Sequence, residues 1–483
     1  MPLEPVIGLE IHVQLKTNSK MFCSCANIFS DVKPNSAICP ICLGYPGTLP
    51  VPNATAIEWI RKAGAALNCE LALKSKFDRK SYFYPDLPKG YQISQYDQPF
   101  CGKGSLKIVV EDTEREIGIT RIHLEEDAAK NTHPAKTDYT LIDYNRAGTP
   151  LIEIVTEPDI KTPAEAKVFL QELQRIMRAL HISDADMEKG QLRCDANISL
   201  KEVGSQKLNP KTEVKNINSF RNVERALQFE IERQTKEHTE GRMPQGATRG
   251  WDADTQKTVA QRTKEEAADY RYFPEPDIPP FVFTEEENKA IQHAVPELPQ
   301  ERRDRFQSQY QLPLGQATLL VDIPLLSNFF EDTISELEEL EIKDLVTLTA
   351  NTLLRDFRKF IEEQHLNEQT LKITPENFSE VVVMLKKQEI NKNALGQLLA
   401  EMQKTGGDPD PIVANLDLKQ ESNTDALGSA IDQVIAENPD VVEKIKAGKS
   451  AALQFLMGQV MAKMRGQANP QVITELLKKK LSI

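Results

Sequence analysis

Residues Gly8 to Leu15, close to the amino terminus, alternate between polar and apolar positions without a break. Strict alternation over this length predicts a β-strand that is buried on one face only. The apolar residues that would face a core are Leu9, Ile11, Val13 and Leu15. Glu10, His12 and Gln14 would then share the opposite face, spaced roughly 6 to 7 Å along the strand. Such a carboxylate and imidazole can converge on one metal ion or one phosphate, although a solvated sheet face is the alternative.

Four later segments repeat this pattern and place ionisable residues in phase. The segments are 122–126, 151–155, 191–200 and 211–215, and they carry Glu125, Glu153, Asp195, Glu213 and Lys215. His123 falls on the same side as Glu125. The phase of the apolar residues changes between Ile119 and Ile122, which predicts a β-bulge near residues 120 and 121. Ionisable faces on several strands favour one shared site, and bulges often lie beside active sites.

Length and composition limit the class of protein. The chain has 483 residues, 40% hydrophobic and 27% charged, which predicts a soluble protein of two to four domains. No run of about 18 apolar residues occurs, so no membrane span is expected. Because the first strand starts near Pro5, no targeting presequence is expected, and we predict a cytoplasmic protein. The net charge of −13 argues against a general nucleic-acid coat and restricts any RNA contact to a local basic patch.

Four cysteines follow the first strand in two close pairs. Cys23 and Cys25 form the first pair, and Cys39 and Cys42 form the second after a gap of thirteen residues. This spacing predicts a tetrahedral zinc site. Four thiolates leave no open coordination position, so the metal would be structural and would pin a loop beside the first strand. Buried free thiols or a disulfide are the alternatives, and a reducing cytosol disfavours the disulfide.

Residues 77–95 combine basic residues, aromatic residues and prolines without helical or alternating periodicity. We predict a rigid loop that presents Arg79 and Lys80 to an anion or a base. Packed loop aromatics are the alternative. A second stretch of similar composition, residues 267–280, is predicted to form an ordered lid or seam.

The remaining patterns predict the fold class and the domains. Because the strands alternate in polarity, we predict an α+β catalytic domain over residues 1–285 whose largely antiparallel sheet is covered by helices on one side. After Phe283 the patterns are helical only, which predicts a helical domain over residues 286–405. A linker rich in glycine and proline at 406–411 would connect it to a small helical tail over residues 412–483.

This tail is basic although the whole chain is acidic. Between Val441 and Leu481 there are eight lysines and arginines and only two glutamates, a net charge of +6. The reversal predicts a patch for phosphate contacts. Its candidate residues are Lys449, Lys463 and Arg465. An ordinary solvated helical surface is the alternative.

The chain has no complete phosphate-binding P-loop. Gly448-Lys449-Ser450 matches the end of that motif, but Glu443 stands where its first glycine belongs. If the protein uses ATP, the phosphates must be held through metal ions on the carboxylate face of the sheet. Mg²⁺ prefers oxygen ligands of this kind.

Several longer motifs resemble those of the B subunit of the aspartyl/glutamyl-tRNA amidotransferases, in the same order and along the whole chain. The matching segments are Gly8–Leu15, the paired cysteines, Lys80–Gln95, His123–Asp127, Asp143–Glu153, Arg193–Ser199, Asp269–Asp277 and Gly448–Met461. The last of these is similar to the tRNA-binding tail of the family. Long motifs in a fixed order are far more specific than any single short pattern, so the chain is identified as a member of this family.

The resemblance implies a glutamine-synthetase-like cradle domain, a helical domain and a YqeY-like helical tail. It also implies a heterotrimer, in which an amidase-type A subunit releases ammonia from glutamine and the pair is braced by a small C subunit. In such a complex, the B subunit uses ATP to phosphorylate the side-chain carboxylate of Glu-tRNA(Gln) or Asp-tRNA(Asn). Ammonia arrives through a tunnel and displaces the phosphate.

The motif positions also imply site residues. Magnesium ligands would be Glu10, His12 and Glu125. Further catalytic candidates are Glu153, Asp195 and Glu213. Cations that would steady phosphate charge are Arg79, Lys80 and Lys215.

Two other functions stay open from the sequence. A zinc-bearing tRNA-binding adaptor would leave all catalysis to its partners, but an adaptor has no reason to bury a carboxylate cluster. A free-standing carboxylate–amine ligase shares the cluster but does not explain the basic tail.

Overall fold

The computed structural model describes residues 2–28, 31–111, 113–134, 137–263, 270–339, 345–419, 424–446, 450–464 and 470–481. The chain divides into two compact units, Met1–Pro299 and Gln300–Ile483, and each is described by itself. Among the described helices, none combines the length and the apolar composition that a membrane span requires.

A large sheet organises the first unit. Its eight strands are β1 (Leu3–Gln14), β5 (Gly104–Val110), β6 (Thr113–Glu126), β9 (Pro150–Thr156), β10 (Leu192–Glu202), β11 (Thr212–Ile217), β12 (Ala247–Asp252) and β13 (Lys257–Thr263). Their order across the sheet is β13-β12-β11-β10-β1-β9-β6-β5. The described pairs are antiparallel except β11 with β12, which confirms the predicted mixed fold with a largely antiparallel sheet. The amino-terminal strand therefore lies in the middle of the sheet.

Helices cover the apolar face of this sheet. The helices of the first unit are α1 (Ala54–Ala66), α2 (Pro163–Ala179), α3 (Phe220–Thr239) and α4 (Glu285–His293). Leu9, Ile11 and Val13 of β1 are almost fully buried in the same core cluster as residues of α1, α2 and α3. Side chains of Asn53, Thr162 and Ser219 cap the first three helices. The apolar half of the alternating pattern thus faces the helices and leaves the polar half on the other side.

The bulge predicted near residues 120 and 121 is confirmed. The pairing of β6 with β9 shifts register between Ile119 and Arg121. One extra residue at this point returns His123 and Glu125 to the polar face of the sheet.

The prediction of a loop over residues 77–95 is wrong at both of its ends. Short strands β3 (Asp78–Ser81) and β4 (Tyr91–Ser94) pair there, and β14 (Phe273–Pro274) joins β3 in a three-stranded sheet. Strands this short hold too few residues for alternation to be visible in the sequence. The remaining short strands are β2 (Lys74–Ser75), β7 (Lys130–Thr132), β8 (Leu141–Asp143) and β15 (Phe281–Val282). Of the predicted lid at 267–280, residues 267–269 lie outside the described residues.

The second unit is helical in its described residues. Its helices are α5 (Pro299–Tyr310), α6 (Leu314–Val321), α7 (Pro324–Glu339), α8 (Val346–Thr352), α9 (Arg358–Glu363), α10 (Pro375–Lys386), α11 (Lys392–Thr405), α12 (Pro409–Asn415), α13 (Thr424–Glu437), α14 (Pro439–Lys446), α15 (Ser450–Lys463) and α16 (Pro470–Leu481). A π-helical turn, Leu353–Phe357, connects α8 and α9. The predicted all-helical character of this region is confirmed.

The predicted linker at 406–411 needs a correction. Gly406 ends α11 in a left-handed conformation, but Pro409 already begins α12. Ile412 and Val413 of α12 are buried in the core cluster of the preceding helices. Residues of α13 to α16 form a separate hydrophobic cluster that contains Leu427, Ile431 and Leu456.

Candidate active site

A row of ionisable side chains crosses the polar face of the large sheet. Glu153 on β9 pairs in register with His12 on β1 and with His123 on β6. Its carboxylate Oε2 lies 3.2 Å from Nε2 of each imidazole. Three strands that are distant in the chain therefore bring three side chains to one point.

Glu125, two residues after His123 on β6, lies beside this row. Its oxygens lie 3.8 Å from Nε2 of His12 and 3.7 Å from Nε2 of His123. Ser94 on β4 donates a hydrogen bond of 2.9 Å to the same carboxylate. Glu125, Glu153 and His123 are all buried, so their charges must compensate one another.

The pKa values follow from this compensation. Burial alone would lower the pKa of His123, but Glu153 and Glu125 outweigh it and raise the pKa to about 9. Burial would likewise raise the pKa of Glu153, but the two imidazoles hold that pKa well below its ordinary value. Burial and the charge of Glu153 raise the pKa of Glu10. Glu153 therefore favours its carboxylate form beside these imidazoles, and His123 favours its imidazolium form.

This arrangement fits a divalent cation. The ligand atoms of Glu10, His12 and Glu153 lie within 4.8 Å of one another, and so do those of His123, Glu125 and Glu153. Carboxylate oxygens suit Mg²⁺, and neutral imidazoles bind many divalent metals. A bound cation would supply positive charge to the buried carboxylates, and its imidazole ligands would be unprotonated.

Asp195 and Glu213 form a neighbouring group around Lys215. Asp195 stands opposite Glu10 in the pairing of β1 with β10. Lys215 Nζ lies 2.5 Å from Asp195 Oδ2 and 3.3 Å from Glu213 Oε1. Among the described residues, the ligand-atom groups around Glu153 contain neither of these two carboxylates.

The structure separates the two predicted cations of β3. The Arg79 guanidinium donates to Glu275 at 2.7 and 2.8 Å and to Asp277 at 3.1 Å, so its charge is already neutralised. Lys80 points the other way, and its Nζ lies 4.9 Å from the centre of the Tyr270 ring. Burial alone would lower the pKa of Lys80, but Glu125 is the main cause that raises it. Only Lys80 is therefore brought toward the cluster.

A cavity of about 340 Å³ opens on the polar face beside Glu10. Apolar atoms of its lining come from residues such as Val155 and Pro158. Asn197 and Lys211 add polar groups. The cavity is thus a mixed recess next to the carboxylates.

The four predicted zinc ligands also come together. The sulfur atoms of Cys23, Cys25, Cys39 and Cys42 lie within 4.8 Å of one another, and none is in a disulfide. The sulfurs of Cys39 and Cys42 are 3.9 Å apart. A tetrahedron with metal–sulfur bonds of about 2.3 Å has sulfur–sulfur edges of about 3.8 Å. The cysteines therefore have the spacing of a four-thiolate metal site.

A buried lysine lies against this cysteine cluster. Lys20 is fully buried, and its ammonium lies 3.9 Å from Cys42 Sγ and donates to the Tyr144 carbonyl at 3.2 Å. The hydrogen bond with Cys23 lowers the pKa of Cys42 to about 5, and Lys20 contributes to this shift. A buried ammonium needs a nearby negative charge, which thiolates supply.

Sequence reasoning missed several residues of these sites. His123 was placed on the same side as Glu125 but not in the ligand set, although its alternation with Glu125 was a usable signal. Ser94 and Lys20 reach their clusters from segments without alternation, so no sequence signal pointed to them.

The basic residues predicted in the tail are described only in part. Lys449 and Arg465 lie outside the described residues. Lys463 is exposed and pairs with Glu437 at 2.6 Å. Lys478 and Lys479 are exposed on α16.

Comparison with known proteins identifies the family of this chain. Residues 5–289 match the family model described as "GatB/GatE catalytic domain", and residues 328–481 match the one described as "GatB domain". The chain is 45% identical over 482 residues to the B subunit of the "Aspartyl/glutamyl-tRNA(Asn/Gln) amidotransferase" of Thermoanaerobacter pseudethanolicus, and the match covers 100% of both chains. Proteins of the same name from Thermodesulfovibrio yellowstonii and Thermotoga sp. are 44% and 43% identical, with at least 99% of each chain covered. The chain therefore belongs to the B-subunit family of the aspartyl/glutamyl-tRNA(Asn/Gln) amidotransferases.

Proposed function

We propose that this chain is the component of a tRNA-dependent amidotransferase, an ATP-dependent carbon–nitrogen ligase, that activates Glu-tRNA(Gln) or Asp-tRNA(Asn) and converts it to the amide. The observation that carries this proposal is the cluster of Glu10, His12, Glu125 and Glu153 on the polar face of the sheet. Full-length similarity to curated relatives of that name supports it.

The reaction has two steps. In the first, a side-chain carboxylate oxygen of the aminoacyl group attacks the γ-phosphorus of ATP, the bond to the bridging oxygen breaks, and ADP leaves. In the second, ammonia attacks the carbonyl carbon of the acyl phosphate, phosphate leaves with the electron pair of the C–O bond, and the nitrogen releases a proton. The first step is required because a carboxylate offers ammonia no usable leaving group.

The side chains of the cluster suit the first step, in which the protein mainly positions groups and neutralises charge. We assign Glu10, His12, Glu125 and Glu153 as ligands of Mg²⁺, and we add His123 because it faces the same Glu153 oxygen as His12. These residues would hold the ion, which would supply positive charge to neutralise the phosphate oxygens. The role of the protein ligands is to fix that charge beside the reacting carboxylate.

Two lysines are assigned to phosphate oxygens. Lys80 fits because it lies in the field of Glu125 and has no carboxylate within 4.0 Å among the described residues. Lys215 is held at the border of the cluster by Asp195 and Glu213. Arg79 is left out, because it points to the opposite face of β3 from Lys80, where Glu275 and Asp277 hold it.

We place the nucleoside of ATP in the cavity beside Glu10. Its mixed lining suits a base and a ribose, and its position would lead the phosphates toward the carboxylates. An open polar sheet face with helices behind it is consistent with a glutamine-synthetase-like cradle. Such a cradle uses metal ions where other nucleotide-binding proteins use a P-loop.

We propose that the cysteine cluster binds one structural Zn²⁺. Support comes from the sulfur spacing and from the buried charge of Lys20. A zinc ion with four thiolates carries a net charge of −2, which the ammonium partly offsets. Four neutral thiols would leave that ammonium without a negative partner.

The proposed partners are those that the family resemblance implies. Ammonia must be supplied, and we propose that an amidase-type A subunit releases it and that a small C subunit holds the pair together in a heterotrimer. The other substrate is a misacylated tRNA, which is charged and used in the cytoplasm, and we place the protein there.

The second candidate is a tRNA-binding adaptor without catalysis. The buried cluster disfavours it, because ionised groups are costly to bury and a purely binding surface gains nothing from them. Reconstitution decides between the two. The chain is combined with its A-type and C-type partners, Glu-tRNA(Gln), glutamine and ATP, and Gln-tRNA and ADP are measured.

We expect amide and ADP to form together and to depend on this chain. Equal amide formation by the partners without the chain would favour the adaptor. ATP hydrolysis and amide formation on free glutamate, without tRNA, would favour a free-standing ligase.

A second prediction concerns how the protein binds tRNA. Removing residues from Thr424 onward should raise the KM for charged tRNA by about tenfold and flatten its salt dependence, because phosphate contacts release counterions. This start point leaves Ile412 and Val413 in their core cluster. The kcat at saturating tRNA and ammonia production from glutamine should stay unchanged.

A charge variant tests the same surface without a deletion. Lys478→Gln combined with Lys479→Gln removes two exposed cations from α16, and we expect it to reduce the salt slope by about 1 to 2. The matched control is the exposed pair Lys386→Gln with Lys387→Gln at the end of α10. Equal salt slopes for the two double variants would mean that the main tRNA contacts lie outside these α16 lysines.

A further inference from the structure

Arg193 lies at the end of the row that contains His12, Glu153 and His123. It stands directly opposite His12 in the pairing of β1 with β10, so the two side chains share the polar face. The Arg193 side chain is 40% exposed, whereas those of Glu125 and Glu153 are 3% and 8% exposed. The Arg193 guanidinium is thus the solvent-exposed end of a row that is otherwise largely buried.

A buried carboxylate fixes the position of this guanidinium. Arg193 Nη2 donates to Asp127 Oδ2 at 2.7 Å, and Gln14 Nε2 donates to the same oxygen at 2.9 Å. Asp127 is only 4% exposed, and Arg146 Nε lies 3.7 Å from the same Oδ2 atom. Asp127 therefore anchors Arg193 beside the cluster.

The pair does not use the full bonding capacity of the guanidinium. Arginine has five N–H donors, and an ion pair that only joins two strands is best made with two parallel hydrogen bonds to one carboxylate. Here a single Nη2 contact is made, and Arg193 Nε is buried without a partner among the described residues. The hydrogen bond to Asp127 uses one N–H of Nη2, so the exposed part of the fixed guanidinium still has N–H donors for an anion that enters the polar face.

Charge explains why such a cation is needed. The carboxylate to be phosphorylated must approach a face that gathers Glu10, Glu125 and Glu153, and a cation beside them offsets part of this negative charge. Of the other cations on this face, Lys215 is paired with Asp195 and Glu213. Lys80 offers a point charge, whereas the planar fork of arginine matches the two oxygens of a carboxylate.

We infer that Arg193 binds the side-chain carboxylate of the glutamyl or aspartyl group on the charged tRNA. Asp127 is its positioning residue. This inference rests on the proposed function. It adds that Arg193 selects an aminoacyl group with an acidic side chain and orients the two oxygens of that side chain for phosphorylation.

Uncharged tRNA provides the test, because it has the same body but lacks this carboxylate. In the reconstituted complex, Arg193→Gln should raise the KM for Glu-tRNA(Gln) by about tenfold or more, since a hydrogen bond to a charged group is lost. The inhibition constant of uncharged tRNA(Gln) and the KM for ATP should change by no more than about twofold. Lys80→Gln is the comparison variant, and it should raise the KM for ATP instead.

Arg193→Lys separates binding from folding. It keeps the charge beside Asp127 but removes the fork, so the thermal midpoint should match the parent while the KM for charged tRNA still rises. An unchanged KM in Arg193→Lys and Arg193→Gln would overturn the inference. An equal loss of affinity for charged and uncharged tRNA would also overturn it and leave Arg193 a strand-joining residue. Inactivity of the parent complex, in contrast, would contradict the proposed function itself.

Discussion

Glu125→Gln should lower tRNA-dependent ATP hydrolysis and amide formation by about a hundredfold or more, because a lost metal ligand removes several kcal/mol of transition-state stabilisation. Glutamine replaces one carboxylate oxygen by an NH₂ group, which repels a cation. Glu125 lies within 3.8 Å of both imidazoles, so the change also removes the negative charge that pairs with them. Ammonia production by the amidase-type partner should persist, since it does not use this site.

The matched control for this prediction is Glu116→Gln on the same strand. Glu116 is exposed and accepts a hydrogen bond from Ser105 at 2.7 Å, away from the polar cluster. We expect its variant to have the ATP turnover of the parent complex. If Glu125→Gln also kept the ATP turnover of the parent complex, the cluster would have a purely structural role.

Cys39→Ser should reduce the zinc content of the purified chain from about one ion to less than about a tenth, because structural zinc needs all four thiolates. The loop that carries these cysteines should lose its anchor, and the thermal midpoint should fall with the metal. Elemental analysis and thermal unfolding of the same sample measure both effects.

Cys69→Ala is the matched control for the zinc prediction. Cys69 is a buried free thiol outside the cluster, so its removal changes packing but should leave the metal in place. A metal-free Cys39→Ser chain with the stability and activity of the parent would contradict a structural zinc ion. Equal zinc loss in both variants would show that the metal responds to general destabilisation.

Alternation along a strand was sufficient to predict which residues share the polar face. His12, Glu125 and Glu153 could be placed there from sequence alone, and the register shift after Ile119 could be predicted from the change of phase. Register between strands could not be predicted, because nothing in the sequence states which residue of β9 stands opposite His12. The convergence of two imidazoles on Glu153 is a result of that register.

Interactions between distant segments account for most of what the sequence did not reveal. Arg79 was a reasonable anion-binding candidate until β14 brought Glu275 against it. Lys20 has the sequence context of a surface lysine, but packing around the cysteine loop buries it completely. The parallel pairing of β11 with β12 also lacked a sequence signal, because β12 contains Gly250 and two charged residues.

The central position of β1 affects how the chain emerges from the ribosome. Both of its partners, β9 and β10, are made after it, and residues 15–149 must be synthesised before the first of them exists. At roughly 5 to 20 residues per second, this delay lasts roughly 7 to 27 s. Throughout that time a twelve-residue strand with one apolar face has no sheet to join. We expect the nascent chain to depend on trigger-factor-like chaperones that shield short apolar segments, and to become resistant to protease only once residues beyond Glu202 have left the exit tunnel.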